Sequence, residues 1–139
     1  MIDFNLPKQE NTPSENEDHK IDSENENNHY PDKFVVVRIE TENFGVAIKV
    51  LASWYGGFAG SNSWKLSSGI IKISMTESGY EFLNHSGSTY FCSKNSYGMS
   101  SYTASIYDNL TTQIKELPGV NSISIVDEEV FERGDINLN

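Results

Sequence analysis

Residues 34–54 read FVVVRIETENFGVAIKVLASW, and this stretch decides the fold. Phe34 to Glu40 is dominated by β-branched side chains, which fit a pleated surface and lose rotamer freedom in a helix. Val35, Val37 and Ile39 share one face at period 2. Thr41-Glu42-Asn43 supplies a polar turn. From Phe44 to Trp54 the even positions Phe44, Val46, Ile48, Val50, Ala52 and Trp54 are all apolar. That alternation argues for a second strand. A helical stripe through Phe44, Ala47, Ile48, Leu51 and Tyr55 also fits the same residues, and the unbroken alternation favours the strand.

Downstream, Trp64 to Met75 reads as strand with a fault in it. Trp64 and Leu66 lie on one parity, whereas Ile71, Ile73 and Met75 lie on the other. The switch passes through Ser67-Ser68-Gly69, the pattern of a β-bulge or bend. Tyr80–Leu83 and Thr89–Ser93 form a hairpin around Asn84–Ser88, which sets residue 82 opposite 90 and 80 opposite 92. Ser101 to Leu117 is the one good helix: Tyr102, Ile106, Leu110, Ile114 and Leu117 make an apolar stripe. Ser100 or Ser101 caps it and Pro118-Gly119 stops it. Val120 to Val126 is a last strand, with Ile123 and Ile125 inward. The expected fold is α+β: a mostly antiparallel sheet of five to six strands, with one helix in the C-terminal half covering one face.

The charge divides unevenly along the chain. The total is −10 over 139 residues, but residues 1–32 carry −7, residues 127–139 carry −4 and residues 33–126 carry +1. This predicts a near-neutral domain at 33–126 between an acidic tail at 1–32 and a second acidic tail at 127–139. The first tail is rich in Glu, Asn, Asp and Ser, and so poor in apolar side chains that disorder is expected. Ile2, Phe4 and Leu6 are the apolar residues at its start, read as a candidate short anchor within it. Thirteen of the 16 aromatic residues fall in the domain, so an aromatic core is expected.

Several chemistries lack their residues. No apolar run approaches the ~18 residues of a membrane helix. The start M-I-D-F-N-L-P has no apolar h-region, so no secretory signal and a cytoplasmic location are expected. One cysteine, Cys92, makes neither an internal disulfide nor a cysteine zinc site. The hairpin register sets Cys92 opposite Tyr80 and leaves His85 at the tip, so a thiolate–imidazole pair does not form. There is no G-x-S-x-G, S-x-x-K or P-loop pattern. No catalytic residue, cofactor or metal site is expected. Leu117-Pro118-Gly119-Val120, between the helix and Ile123-Ile125, resembles the helix-to-strand junction of ferredoxin-like modules such as heavy-metal-associated and amino-acid-sensing regulatory domains. The metal-binding C-x-x-C is missing and the strand-rich order upstream departs from βαββαβ, so no function is carried across.

What remains is Trp54-Tyr55-Gly56-Gly57-Phe58-Ala59-Gly60-Ser61-Asn62-Ser63-Trp64, four large aromatics separated by small residues and followed by Lys65. Tyr and Trp give wide contact area at low entropy cost, so Trp54, Tyr55, Phe58, Asn62, Trp64 and Lys65 are the candidate binding residues. The bland alternative is that both tryptophans are core residues at strand ends. Tyr97, Met99 and Tyr107 are secondary candidates. The expected function is a small non-catalytic protein-binding inhibitor, adaptor or accessory of a bacterium or phage. The alternatives are a module for a small ligand or single-stranded nucleic acid at the same loop, and an anti-defence protein acting through its acidic tail. Duplex nucleic acid is disfavoured, because the domain lacks a dense basic patch.

Overall fold

The computed structural model describes residues 27–55, 62–134, 136 and 138. Eight strands and two helices occur among them: β1 Asn28–His29, β2 Lys33–Thr41, β3 Gly45–Trp54, β4 Ser63–Leu66, β5 Ile70–Met75, β6 Gly79–Asn84, β7 Thr89–Ser93, α1 Ser101–Lys115, β8 Val120–Ile125 and α2 Glu128–Glu132. A short 3-10 turn at Lys94–Ser96 joins β7 to the approach to α1.

The strands form two four-stranded sheets, ordered β4-β3-β2-β8 and β1-β7-β6-β5. All pairings are antiparallel except β1 with β7. The α+β reading therefore holds, but the single sheet of five to six strands is replaced by two sheets. There are three layers: the β1-β7-β6-β5 sheet, the β4-β3-β2-β8 sheet, and α1. Strand β2 explains the difference. Val35, Val37 and Ile39 pack with Leu110 and Ile114 of α1, while Phe34 and Val36 pack on the opposite side with Tyr80, Phe82 and Tyr90 of the other sheet. A strand apolar on both faces needs a cover on each.

The parity fault after Trp64 has the same origin. Ser67–Gly69 is where the chain leaves one sheet for the other. β4 pairs with β3, and β5 pairs with β6. The bulge lies a little later, where the β5–β6 register shifts between Ile70 and Lys72. Ile70 and Ile73 thus turn inward and Ile71 is left exposed. The β6–β7 hairpin has the expected register, with Tyr80 opposite Cys92 and Phe82 opposite Tyr90. Gly79 begins β6 for a steric reason: a Cβ there would lie 2.2 Å from the Cys92 carbonyl oxygen. α1 is capped by Ser100, whose Oγ accepts from the Thr103 N–H at 3.3 Å. It ends before Gly119, which takes the left-handed φ of 83° that glycine adopts without strain.

Described elements lie on both sides of the 33–126 stretch. Asn28–His29 is hydrogen-bonded to β7, so the described fold begins six residues before position 33. The acidic run after Val126 includes α2, whose Phe131 is buried against Phe82, Tyr80 and Tyr97 at ring-centroid distances of 5.7, 5.0 and 5.4 Å. Charge counting misses this because a single phenyl ring, burying on the order of 150–250 Å², anchors a one-turn helix however acidic its outer face. Residues 1–26 lie outside the described residues.

α2 is also tied by polar contacts. The Tyr80 hydroxyl donates to Glu128 Oε2 at 2.7 Å, and the Tyr97 hydroxyl donates to the Val126 carbonyl while accepting from the Val36 N–H. Burial, opposed in part by the Val36 hydrogen bond and reinforced by the charges of Glu128 and Asp127, pushes Tyr97 from its ordinary 10.0 up to about 12. Burial and the Glu128 hydrogen bond likewise hold Tyr80 well above its ordinary value. A phenol whose pKa rises on folding stabilises the fold fully below the unfolded value, and that stability is lost as pH rises through the folded value. The urea midpoint should therefore fall between pH 10 and about 12, and Tyr97→Phe should make that fall shallower. An unchanged pH slope in Tyr97→Phe would contradict this account.

Candidate functional site

β3 and β4 pair antiparallel, with Trp54 opposite Ser63 and Ser53 opposite Trp64. The connection between them is thus residues 55–62, longer than the two to five residues that usually close a hairpin. Residues 56–61, including the candidate Phe58, lie outside the described residues. The stem beneath them is well defined and unexpectedly polar.

Odd positions of β3 face α1, so Ser53 and Tyr55 follow Leu51 on that side. Ser53 is fully buried and needs partners for its hydroxyl. Its Oγ lies 2.9 Å from Thr103 Oγ1, 3.0 Å from the Tyr55 hydroxyl and 3.3 Å from the Lys33 carbonyl. The Tyr55 hydroxyl is in turn 2.8 Å from Ser100 Oγ and 3.0 Å from Thr103 Oγ1. Ser100 is the N-cap of α1, so one cluster of four hydroxyls fixes both the start of the helix and the base of the loop. Burial alone would raise the Tyr55 pKa. Hydrogen bonds with Ser100, Ser53 and Thr103, aided by the Lys33 charge, outweigh it and hold the phenol below its ordinary value.

The opposite side of the stem is held by residues that charge counting places in the tail. The Trp54 indole N–H donates to the Tyr30 carbonyl at 3.0 Å, and the His29 ring meets the Trp54 ring edge-on at 6.3 Å. Asp32 clamps the strand end twice: its carboxylate accepts from the Tyr55 N–H at 2.8 Å, and its own N–H donates to the Ser53 carbonyl at 2.9 Å.

The six candidates therefore separate. Trp64 is only 3% exposed and packs with Val35, Val37, Ile39, Leu51 and Leu110. The core alternative describes it, and it offers no contact surface. Trp54 and Tyr55 are half-buried and act as ties. Asn62 is exposed and Lys65 half-buried beside the stem. Among the secondary candidates, Tyr97 belongs to the core between the sheets, Tyr107 is half-buried on α1 and Met99 is exposed. Asp32, Ser53, Ser100 and Thr103 are missed by sequence reasoning. One signal for them exists: Ser53, like Lys49, puts a polar side chain at an odd, inward position of β3.

The remaining reactive side chains are not brought together. Cys92 is buried, and burial pushes its thiol well above its ordinary value, while His85 is exposed on the β6–β7 turn. Among the described residues, no three of His, Cys, Asp and Glu are grouped to hold a metal ion. No described helix is long and apolar enough to cross a membrane.

Two substitutions separate packing from tying. Trp64→Ala should lower unfolding free energy by about 3–5 kcal/mol, the range for truncating a buried aromatic. Tyr55→Phe should cost about 1 kcal/mol, because Ser53 and Thr103 still bond each other. Urea denaturation measures both, and a smaller loss for Trp64→Ala than for Tyr55→Phe would contradict the assignment.

Comparison with protein families, with curated proteins and with solved structures gives no match for this chain.

Proposed function

We infer that this chain is a small, non-catalytic binding protein that engages a protein partner through the 55–62 loop. The observation that carries the reading is the contrast between loop and stem. An eight-residue connection, glycine-rich and carrying Phe58, is mounted on a hairpin end that is fixed on both sides by Asp32, the Tyr30 carbonyl and the hydroxyl cluster. A binding loop on a rigid scaffold loses less entropy on association than one whose base also has to be ordered. The contact set is narrower than the sequence suggests: Phe58 and Asn62 at its centre, with Lys65 at the rim, and Trp54, Tyr55 and Trp64 as supports.

With β1 and α2 included, residues 27–134 carry a net charge of −3, which supports a protein partner over a duplex, whose phosphates call for a dense basic surface. The burial of Cys92 and the separate position of His85 support a non-catalytic role.

A photoreactive amino acid at position 58 should give one discrete heterologous adduct in cells of the source organism. The same probe at Ser122, exposed on β8, should give none. An absent adduct at 58, or an equal one at 122, would contradict the reading.

A further inference from the structure

An unpaired sheet edge is a template for another strand unless something blocks it. Among the described residues the edge strands are β1 and β5 of one sheet and β4 and β8 of the other. Three of them carry a block. β1 is only two residues long, β4 is four residues with Lys65 among them, and β5 carries exposed Lys72 beside a register shift. β8 has no such guard. It is six residues long, V-N-S-I-S-I, and no charged residue or proline occurs from Gly119 to Val126. Its own register shift falls at Asn121, so Ser122 onward lies in unbroken register along β2.

The backbone groups on its open side can be identified. The Val126 N–H donates to the Val36 carbonyl at 2.8 Å, and hydrogen-bonded pairs alternate along an antiparallel ladder. Ser124, opposite Arg38, and Ser122, opposite Glu40, therefore also turn their backbone groups to β2. The N–H and C=O groups of Ile123 and Ile125 point the other way, out of the sheet. The side chains of these two residues lie on the α1 face, half-buried at the margin of that core cluster.

We propose that β8 pairs antiparallel with β8 of a second copy of this chain, about a two-fold axis at Ser124, so that two β4-β3-β2-β8 sheets become one continuous sheet. Ile123 then faces Ile125 of the second copy, and each such pair exchanges both backbone hydrogen bonds. Ser124 faces its own counterpart at the axis, and Ser122 faces Val126. Three observations select a second copy as the occupant. The axis sets isoleucine against isoleucine on the α1 face and hydroxyl against hydroxyl on the other, the self-complementarity that a two-fold contact needs. The nearest charges, Arg38 and Glu40 on β2, already pair with each other, so the seam brings no unpaired like charges together. The other edges are blocked, so pairing closes at two copies and does not run on. So short a pairing places the dimer among weak, concentration-dependent contacts. It joins identical chains and is independent of the heterologous contact proposed for the loop.

The test uses the full chain. In sedimentation equilibrium the apparent mass should rise from one chain toward two as concentration is raised. Ser124 is exposed, so Ser124→Lys should keep the melting temperature. By setting two lysines face to face it should hold the mass at one chain throughout. Ser124→Cys occupies a non-hydrogen-bonded pair with Cα atoms about 4.5 Å apart, so oxidised glutathione should convert it to a disulfide-linked dimer. Ser122→Cys, whose two copies are offset by roughly 13 Å along the strands, should stay unlinked. Cys92 is buried and takes no part. A single-chain mass at every concentration, which leaves the edge to another protein's strand, would overturn the proposal. So would a dimer that survives Ser124→Lys, or equal linking at positions 122 and 124.

Discussion

Strand β2 must be dry on both sides, and the rest of the structure follows from that constraint. Phe34, Val35, Val36, Val37 and Ile39 are almost wholly buried, three toward α1 and two toward the facing sheet. Burying such side chains is worth about 1.5–3 kcal/mol each, so the five together supply on the order of 10 kcal/mol. That equals the whole net stability of an ordinary domain. Neither cover is dispensable on this scale. The three-layer arrangement, the crossing at Ser67–Gly69 and the docking of α2 through Phe131 are ways of supplying those covers.

The same constraint positions the candidate site. β3 pairs with β2 from Gly45 to Ser53 and with β4 from Leu51 to Trp54, so its C-terminal end is held by a strand on each side. The polar groups brought in there, Ser53 above all, are satisfied by Tyr55, Thr103 and the Lys33 carbonyl, and Asp32 holds the adjoining backbone. Buried hydroxyls that find partners hold elements in one arrangement, whereas unpaired ones would destabilise them. The loop inherits a rigid base from packing that occurs well below it.

Much of the fold was legible in the sequence because it rests on periodicity. The β2–β3 pair, the β6–β7 register with Tyr80 opposite Cys92, the Ser100 cap and the Pro118-Gly119 stop each follow from a few adjacent residues. The division into two sheets was not legible, because a one-residue change of parity looks the same whether it marks a bulge or a crossing between sheets. The apolar residues at both parities of β2 were the available sign. β1 and α2 were missed because each is held by tertiary contacts with distant parts of the chain, inside stretches whose composition reads as solvated. Of the site, residues 56–61 lie outside the described residues, and the stem residues Trp54, Tyr55 and Trp64 were named from the sequence. The supports at Asp32, Ser100 and Thr103 were not, since they lie some 20 to 50 residues away in the chain.

Native-state hydrogen exchange along β2 tests the central claim most directly. If that strand is the doubly covered spine, the amides of Val35 to Ile39 exchange only through global unfolding, with the largest protection in the chain, while those of β5 open at lower free energy. Exchange of the β2 amides through local opening, at a free energy no greater than that of β5, would contradict the account.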